Sequence, residues 1–263
     1  MTIPDAHCHL DQVPEPERAV EEALEAGVAP ILAVGMRRSS SERALELRAR
    51  FPGVVLAAVG LHPSEIPALD DAELQHEIDF VRATLPDADA LGEVGLDYKD
   101  AADEQQRERQ RGALREQLDR AAELGKPVNM HCRRAERDIV EIAIDFARRT
   151  GLGVDLHWFT HSEPLARRCG EAGVFISPGP SILHDEMQAQ VASLIAPDWL
   201  LLETDSPVEY AGHPARPAWA ARVALRLAEL RGEPLEAMAA RLQANLQRYL
   251  CSGPGSRSPL SLR

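Results

Sequence analysis

The stretch Gly53-Val54-Val55-Leu56-Ala57-Ala58-Val59-Gly60 is a short apolar run between two glycines. Runs of this length that are bounded by turn-forming residues are typical of strands. A stretch of helical periodicity precedes the run, from about residue 41 to residue 50. This segment therefore predicts a helix followed by a strand.

The rest of the chain repeats this alternation. The clearest helix is expected from about 103 to 124, where Asp103 and Gln106 form a capping-box pattern and Gly125 ends the helix. Strands are expected at residues 3–9, 30–34, 54–59, 90–96, 127–131, 153–157, 174–177 and 199–203. About eight strand-helix units result, which is the number that closes a (β/α)8 barrel.

A doubly wound open sheet also alternates strands and helices, but this chain lacks a glycine-rich phosphate-binding turn after its first strand. Its length of 263 residues is ordinary for one barrel domain. We therefore expect an α/β protein with a single (β/α)8 TIM-barrel domain over residues 1–251. Residues 252–263 are rich in turn formers and are expected to be a disordered tail.

The composition is that of an ordinary globular protein, with 44% hydrophobic and 27% charged residues. No apolar run approaches the roughly 18 residues that a membrane span requires, and the N-terminus lacks the pattern of a signal peptide. The four cysteines show no CxxC spacing, so neither a disulfide framework nor a thiolate zinc site is indicated. These features predict a cytoplasmic protein with reduced cysteines and no membrane partner.

The formal net charge of -13 restricts contacts with nucleic acid. An acidic surface repels phosphodiester backbones and forgoes the affinity that counterion release provides. Any contact with nucleic acid is therefore expected to be local, within a cleft that holds metal ions and a few arginines.

Functional side chains of barrels lie at the carboxyl ends of the strands. The first strand ends in Asp5, His7 and His9, which the two-residue period of a strand places on one face, while Cys8 points the other way. This alternation argues against Cys8 as a metal ligand. The histidine pair is a weak signal by itself, because solvated rings at a strand end give the same pattern.

Five further strand ends carry imidazole or carboxylate groups: His62, Glu93, His131, His157 and Asp205. So many at one barrel rim are improbable by chance, because unpaired buried charges destabilise a fold. Even without His62, the set of four histidines, one glutamate and one aspartate exceeds what one four-coordinate ion can bind. It therefore predicts two divalent ions bridged by a carboxylate.

The ordered motifs D-x-H-x-H, G-x-H-P, G-E-V-G-L-D-Y, P-V-x-x-H-x-R and E-T-D-S-P resemble those of the TatD family of metal-dependent deoxyribonucleases. The likeness runs from Asp5 to about Leu250 and includes a strand-end histidine between the last two motifs. The family belongs to the amidohydrolase-like TIM barrels. The resemblance implies phosphodiester hydrolysis that depends on Mg2+, Mn2+ or Zn2+, often of DNA from a 3' end.

The ligand set that the resemblance implies has two halves that share Glu93. One ion is expected between His7, His9, Glu93 and Asp205, and the other between Glu93, His131 and His157. Asp205 is also expected to orient and deprotonate the attacking water, whose pKa the ions lower. Asp205 and Glu93 are therefore the expected catalytic residues.

Two residues are expected to contact the substrate. His62 matches the G-x-H-P histidine and suits a phosphate contact, with stabilisation of its own loop as the alternative. Arg133 suits a fork-shaped phosphate clamp, with a structural ion pair as the alternative. Asp5 and Glu203 share the ligand faces, and either can orient a histidine.

After the sixth strand the family commonly shows H-C-F-T-G or H-x-F-S-G, whereas this chain reads His157-Trp158-Phe159-Thr160-His161-Ser162. His161 replaces the glycine, which leaves the shape of this loop and the substrate preference open.

The leading hypothesis is a two-metal deoxyribonuclease, a 3'-5' exonuclease acting on short or single-stranded DNA. The alternative is an amidohydrolase-like hydrolase of a small ester, amide or lactone. Several relatives of this barrel bridge their metals with a carboxylated lysine, whereas the fourth strand here supplies Glu93, which favours the nuclease. A non-catalytic binding protein would have lost ligands, and none is missing. The native metal and the oligomeric state remain open.

Overall fold

The computed structural model describes residues 2–160 and 162–253. Within them, seven parallel strands form one sheet in chain order, each paired with the next. The strands are β1 (Ile3–Cys8), β2 (Val28–Val34), β3 (Val55–Val59), β4 (Ala90–Asp97), β5 (Val128–Arg133), β6 (Val154–His157) and β7 (Phe175–Ser177). A short antiparallel hairpin, β8 (Glu209–Tyr210) and β9 (His213–Pro214), follows later in the chain.

Helices between the strands return the chain to the start of each next parallel strand. They are α1 (Pro16–Glu25), α2 (Arg38–Arg50), α3 (Asp71–Thr84), α4 (Glu104–Leu124), α5 (Glu136–Thr150) and α6 (Glu163–Ala172). Three more helices follow β7, namely α7 (Glu186–Leu194), α8 (Ala220–Arg231) and α9 (Leu235–Leu250). The described helices are all too short or too polar to cross a membrane.

The barrel prediction is confirmed, and the predicted strands up to β7 agree with the observed ones within two residues. At the start of α4, the Asp103 side chain accepts a hydrogen bond from Gln106 N–H at 2.9 Å. The Gln106 side chain accepts from Ala102 N–H rather than from Asp103, so the capping box is reciprocal only in part. Gly125 ends α4 at a φ of 67°, where a glycine is favoured.

The expected eighth strand at 199–203 is not a regular strand. An extended segment over 200–206 lies between β7 and β1 and nearly closes the barrel. On the β7 side, Leu201 N–H donates to Ile176 O (3.0 Å) and Glu203 N–H to Pro178 O (3.2 Å). On the β1 side, the backbone bonds are Ala6 N–H to Leu202 O (2.9 Å), Asp205 N–H to His7 O (3.0 Å) and His9 N–H to Ser206 O (2.8 Å). Two features interrupt the ladders. Pro178, directly after β7, has no N–H to donate to the segment, and Thr204 N–H donates to the Asp5 side chain rather than to a backbone carbonyl of β1.

The hydrophobic core forms mainly between the sheet and the surrounding helices. A smaller apolar cluster joins strand residues such as Leu32 and Phe175 to Leu246 and Tyr249 of α9. Beyond α9, the Ser252 hydroxyl donates to Tyr249 O at 2.9 Å. The rest of the predicted tail, from 254 onward, lies outside the described residues.

Candidate metal centre

Glu93 lies within β4, and its two carboxylate oxygens face different groups of side chains. Oε1 lies 2.8 Å from His131 Nδ1 and 2.8 Å from His157 Nε2. Oε2 lies 3.3 Å from His9 Nε2 and 3.7 Å from His7 Nε2. One carboxylate thus stands between two pairs of imidazole nitrogens, which is the arrangement expected of a bridging ligand.

Asp205 completes the group around Glu93 Oε2. Its Oδ1 lies 3.4 Å from the Nε2 atoms of both His7 and His9. The residue adopts a φ of 49°, in the left-handed region, at the end of the closing segment. Its backbone N–H is tied to β1 through His7 O, so the conformation and the pairing together aim the carboxylate into the barrel mouth.

The centre is buried, and its groups shift each other's protonation. Burial opposes ionisation of Glu93, but the neighbouring imidazoles of His62, His157 and His7 outweigh it and hold its pKa well below the ordinary value. Burial likewise opposes ionisation of Asp205, whose pKa the contacts with His7 and His9 lower. Both carboxylates are therefore ionised at neutral pH.

The histidines respond in the opposite sense. Burial lowers the pKa of His9, yet the adjacent carboxylates of Asp205 and Glu93 raise it overall to about 9. The pKa of His131 is raised by Asp97 and Glu93 against the effect of burial, and that of His157 by Glu93 and Glu203. Protons on these rings offset the buried carboxylates, a compensation that a bound cation can equally provide.

Buried polar atoms without hydrogen-bond partners are a second reason to expect a cation at this centre. Four buried atoms of the centre have no hydrogen-bond partner among the described residues: Glu93 Oε2, Asp205 Oδ1, His9 Nδ1 and His131 Nε2. A buried polar atom without a partner is costly, so such atoms need an explanation. Here the two orphaned oxygens face histidine Nε2 atoms, and mixed nitrogen and carboxylate donors suit divalent metals.

Three sets of donor atoms among the described residues lie within 4.8 Å of one another: His7, His9 and Glu93; His62, Glu93 and His131; and His7, His157 and Glu203. The first set contains three of the four ligands expected for one ion, and Asp205 is the fourth. For the other half, the structure also brings His157 beside His131, with 3.2 Å between His157 Nε2 and His131 Nδ1.

His62 enters one of these sets, but its hydrogen bonds favour a donor role. Its Nδ1 accepts from Ser64 N–H at 3.1 Å, so the proton of the neutral ring resides on Nε2. Burial lowers the pKa of His62 to about 4, which keeps the ring neutral. Nε2, 3.2 Å from Glu93 Oε1, is therefore an N–H donor rather than a free lone pair. The ring both stabilises its loop and points into the centre.

A layer of buried polar side chains lies directly below the candidate ligands. The layer forms a chain of contacts from one candidate ligand to another. It starts at His7, whose Nδ1 lies 2.7 Å from Asn129 Oδ1, and Asn129 Nδ2 donates to Asp155 Oδ2 at 3.0 Å. Ser177 Oγ then lies 2.9 Å from Asp155 Oδ2 and 2.5 Å from Glu203 Oε2, and Glu203 Oε1 lies 3.3 Å from His157 Nδ1. Because the Nδ1 atoms of His7 and His157 face acceptors, each Nδ1 carries a proton, and Nε2 is the nitrogen of each ring that is left to bind a metal beside Glu93.

Sequence reasoning did not assign roles to Asn129, Asp155, Ser177 or Asp97. Asp97 Oδ2 lies 3.4 Å from His131 Nε2 and so supports that ring from the far side. A signal was present, because Asn129 and Asp155 each stand two residues before a candidate ligand in an otherwise apolar strand.

The two residues expected to orient a histidine behave differently. Glu203 does so, through its contact with His157. Asp5 instead binds the closing segment, accepting from Thr204 N–H at 2.9 Å and from the Thr204 hydroxyl at 2.5 Å. Cys8 packs in the hydrophobic core, as its outward position predicted.

Arg133 is exposed at the rim, and its guanidinium makes no ion pair with any described residue, so the structural-pair alternative finds no partner. With Met36, Trp158 and Val208 it lines a cavity of about 490 Å³ whose floor is the candidate metal centre. A pocket of this size can enclose a small ligand or one end of a polymer. His161, which replaces the family's loop glycine, lies outside the described residues.

Known proteins resemble this chain along its length. Residues 4–251 match the family model described as TatD related DNase. An uncharacterized metal-dependent hydrolase of Escherichia coli, YjjV, is 33% identical over 254 residues, covering 92% of this chain and 95% of that protein. Its crystal structure matches with a TM-score of 0.82 at 31% identity, covering 94% and 97% of the two chains.

Two further relatives carry names that state an activity. Human deoxyribonuclease TATDN3 is 31% identical over 215 residues, with 77% of each chain covered. The 3'-5' ssDNA/RNA exonuclease TatD of Erwinia tasmaniensis is 34% identical over 199 residues, with 73% of each covered. The match over nearly the whole chain and these identities show that this protein belongs to the TatD-related DNase family of metal-dependent hydrolases.

Proposed function

We propose that this protein is a two-metal phosphodiesterase that removes nucleotides from the 3' end of short or single-stranded DNA. The observation that carries the proposal is the placement of Glu93, whose two oxygens face separate groups of histidine nitrogens. Relatives named as a deoxyribonuclease and as a 3'-5' exonuclease support the choice of substrate and polarity.

We assign the ligands to two ions according to which oxygen of Glu93 they face. One divalent ion is assigned to His7, His9, Glu93 and Asp205, and the second to Glu93, His131 and His157. When bound, Mg2+, Mn2+ or Zn2+ supplies Lewis acidity that polarises a phosphoryl oxygen and lowers the pKa of water.

Asp205 is assigned as the group that accepts a proton from the attacking water. Its low pKa keeps it ionised, so the carboxylate is available to orient the water and take its proton. The hydrogen bond from its backbone N–H to His7 O fixes the residue beside the first pair of histidines. No covalent intermediate is needed in this scheme.

His62 and Arg133 are assigned to the substrate phosphate. The neutral His62 ring presents an Nε2–H donor to the centre, and the Arg133 guanidinium at the rim is free to bind two phosphate oxygens at once. The formal net charge of the chain, -13, agrees with a substrate held at one end only.

The test is a screen of single-stranded DNA, duplex DNA and RNA oligonucleotides with 3' or 5' blocking groups under each metal. We expect shortening of single-stranded DNA that a 3' block stops and a 5' block does not. Asp205→Asn, which preserves shape, abolishes the activity, whereas Asp145→Asn on the exposed face of α5 serves as the matched control. Hydrolysis of a small ester, amide or lactone without turnover of any oligonucleotide would reject the proposal in favour of its alternative.

A further inference from the structure

Trp158 stands beside the candidate metal centre in a backbone conformation that a bulky residue rarely adopts. It follows His157 directly, lines the same cavity, and has a φ of 47°. Left-handed conformations at non-glycine residues cost free energy and persist where the surroundings impose them. Here Trp158 N–H donates to Ser177 O at 3.0 Å, which holds the turn at the end of β6.

The indole is fixed along one edge. Its Nε1–H donates to Gln188 Oε1 at 3.1 Å, and the same oxygen accepts from the hydroxyls of Thr160 (2.8 Å) and Ser181 (2.7 Å). The ring centroid lies 5.3 Å from that of Tyr210, with the planes inclined by 51°. One hydrogen bond and one aromatic neighbour thus restrict the rotation of the indole at the cavity wall, and the hydroxyls of Thr160 and Ser181 hold the Gln188 oxygen that accepts this bond.

Packing alone does not account for this tryptophan. Trp158 is only half-buried and belongs to none of the apolar clusters of the described residues. Its partners in the wall are the apolar side chains of Met36 and Val208 and the free cation of Arg133. An aromatic ring held along one edge, in the wall of the same cavity as an arginine and a set of candidate metal ligands, is a combination suited to binding a base and its phosphate together.

We propose that Trp158 is a stacking platform for the nucleobase next to the scissile phosphate. The inference rests on the proposed function and makes the substrate class more specific, namely a nucleotide terminus that carries a base. Because every base has a π face, this contact recognises that a base is present but does not distinguish one base from another. Gln188 positions the platform, since it is the acceptor that fixes the indole edge.

The test compares single-stranded oligonucleotides that carry either a normal or an abasic residue at the 3'-terminal or the penultimate position. Stacking contributes about 1–3 kcal/mol per base, so Trp158→Ala should raise KM for the normal substrate by roughly 5- to 150-fold. KM for the abasic substrate and kcat for both are expected to change little. Trp158→Phe, which keeps an aromatic face, should retain most of the preference.

Two controls separate stacking from a loss of structure. Trp219→Ala removes another half-buried tryptophan, one that lies beneath the Arg222 guanidinium and outside the cavity, and should leave both KM values unchanged. Calorimetric titration of Trp158→Ala with Mn2+ should give the wild-type affinity, which a merely structural defect would lower. An unchanged ratio of normal to abasic KM in Trp158→Ala with intact metal binding overturns the inference. A wild-type protein that cleaves neither substrate overturns the proposed function itself.

Discussion

The imidazole rings of His7 and His157 lie parallel, with centroids 4.0 Å apart and planes inclined by 5°. The Nε2 of His7 faces Glu93 Oε2, and that of His157 faces Glu93 Oε1. The stacked pair therefore sets the spacing between the two halves of the centre, while Glu93 joins them. Disturbing either ring is expected to affect both halves.

Glu93→Gln and Asp205→Asn should differ in the number of ions that they remove. Glu93 faces both groups of nitrogens, so its amide variant should lose affinity at both positions. Asp205 faces only His7 and His9, so Asp205→Asn should keep one ion. Calorimetry and elemental analysis measure the stoichiometry, and Glu25→Gln on the exposed face of α1 is the control. Equal loss in both variants would contradict the division of the ligands.

The polar layer below the ligands should tune metal affinity without contacting the metal. Glu203→Leu removes the acceptor of His157 Nδ1–H and is expected to weaken metal binding by about 10- to 100-fold. Glu203→Gln retains an acceptor oxygen and should stay closer to the wild type. The comparison is made by calorimetric titration at fixed pH. A Glu203→Leu protein that is folded and binds metal normally would show that His157 does not depend on this contact.

Metal affinity should rise with pH. His9, His131 and His157 have raised pKa values in the metal-free protein, about 9 for His9, and an ion must displace their protons. Between pH 6.5 and 9 the competition from protons falls, so the apparent affinity increases. Titrations in buffers of different ionisation enthalpy count the protons released. Affinity that is independent of pH would indicate that these rings are not ligands.

The stability of the metal-free protein should change in the opposite direction. The pKa of His9 in the folded protein lies above its ordinary value of 6.5, so its contribution to stability is fully present below pH 6.5. This contribution is lost as the pH rises towards 9. Asp5 and Asp155, whose pKa values burial raises to about 8, act in the same sense. Thermal melts of chelator-treated protein should therefore show a lower Tm at pH 9 than at pH 7, and addition of metal should reverse the trend.

Substrate binding should depend weakly on salt. A site with one free arginine at its rim neutralises one or two phosphates, which predicts a slope of log K against log salt of about -0.7 to -1.4 for single strands. Arg133→Gln should raise KM and flatten this slope, while Arg148→Gln in the last turn of α5 should do neither. A wild-type slope steeper than about -3 would require an extended basic surface instead.

The sequence allowed the ligand positions to be predicted because a strand exposes alternate residues on one face. The pair His7 and His9 follows from that period, and the order of the strands then places Glu93, His131 and His157 at the same rim. The irregular closing segment was not predictable from its own residues. Its form depends on Pro178, which follows β7 and has no N–H to donate to the closing segment.

The polar layer escaped prediction for a related reason. Asn129 and Asp155 are visible as polar residues in apolar strands, but their partners are set by the register between neighbouring strands. Ser177 gives no signal at all until β7 is placed beside β6. Residues that act through their neighbours across a sheet need the pairing to be known first.

The contact between Asp5 and Thr204 joins residues that are 199 positions apart in the chain. Contacts over such distances are the slowest to form during folding. Because His7 and Asp205 flank this contact, their half of the centre does not exist until the two ends of the barrel meet. A divalent ion therefore binds after the slow step of refolding, so it should slow unfolding while leaving the rate of folding nearly unchanged.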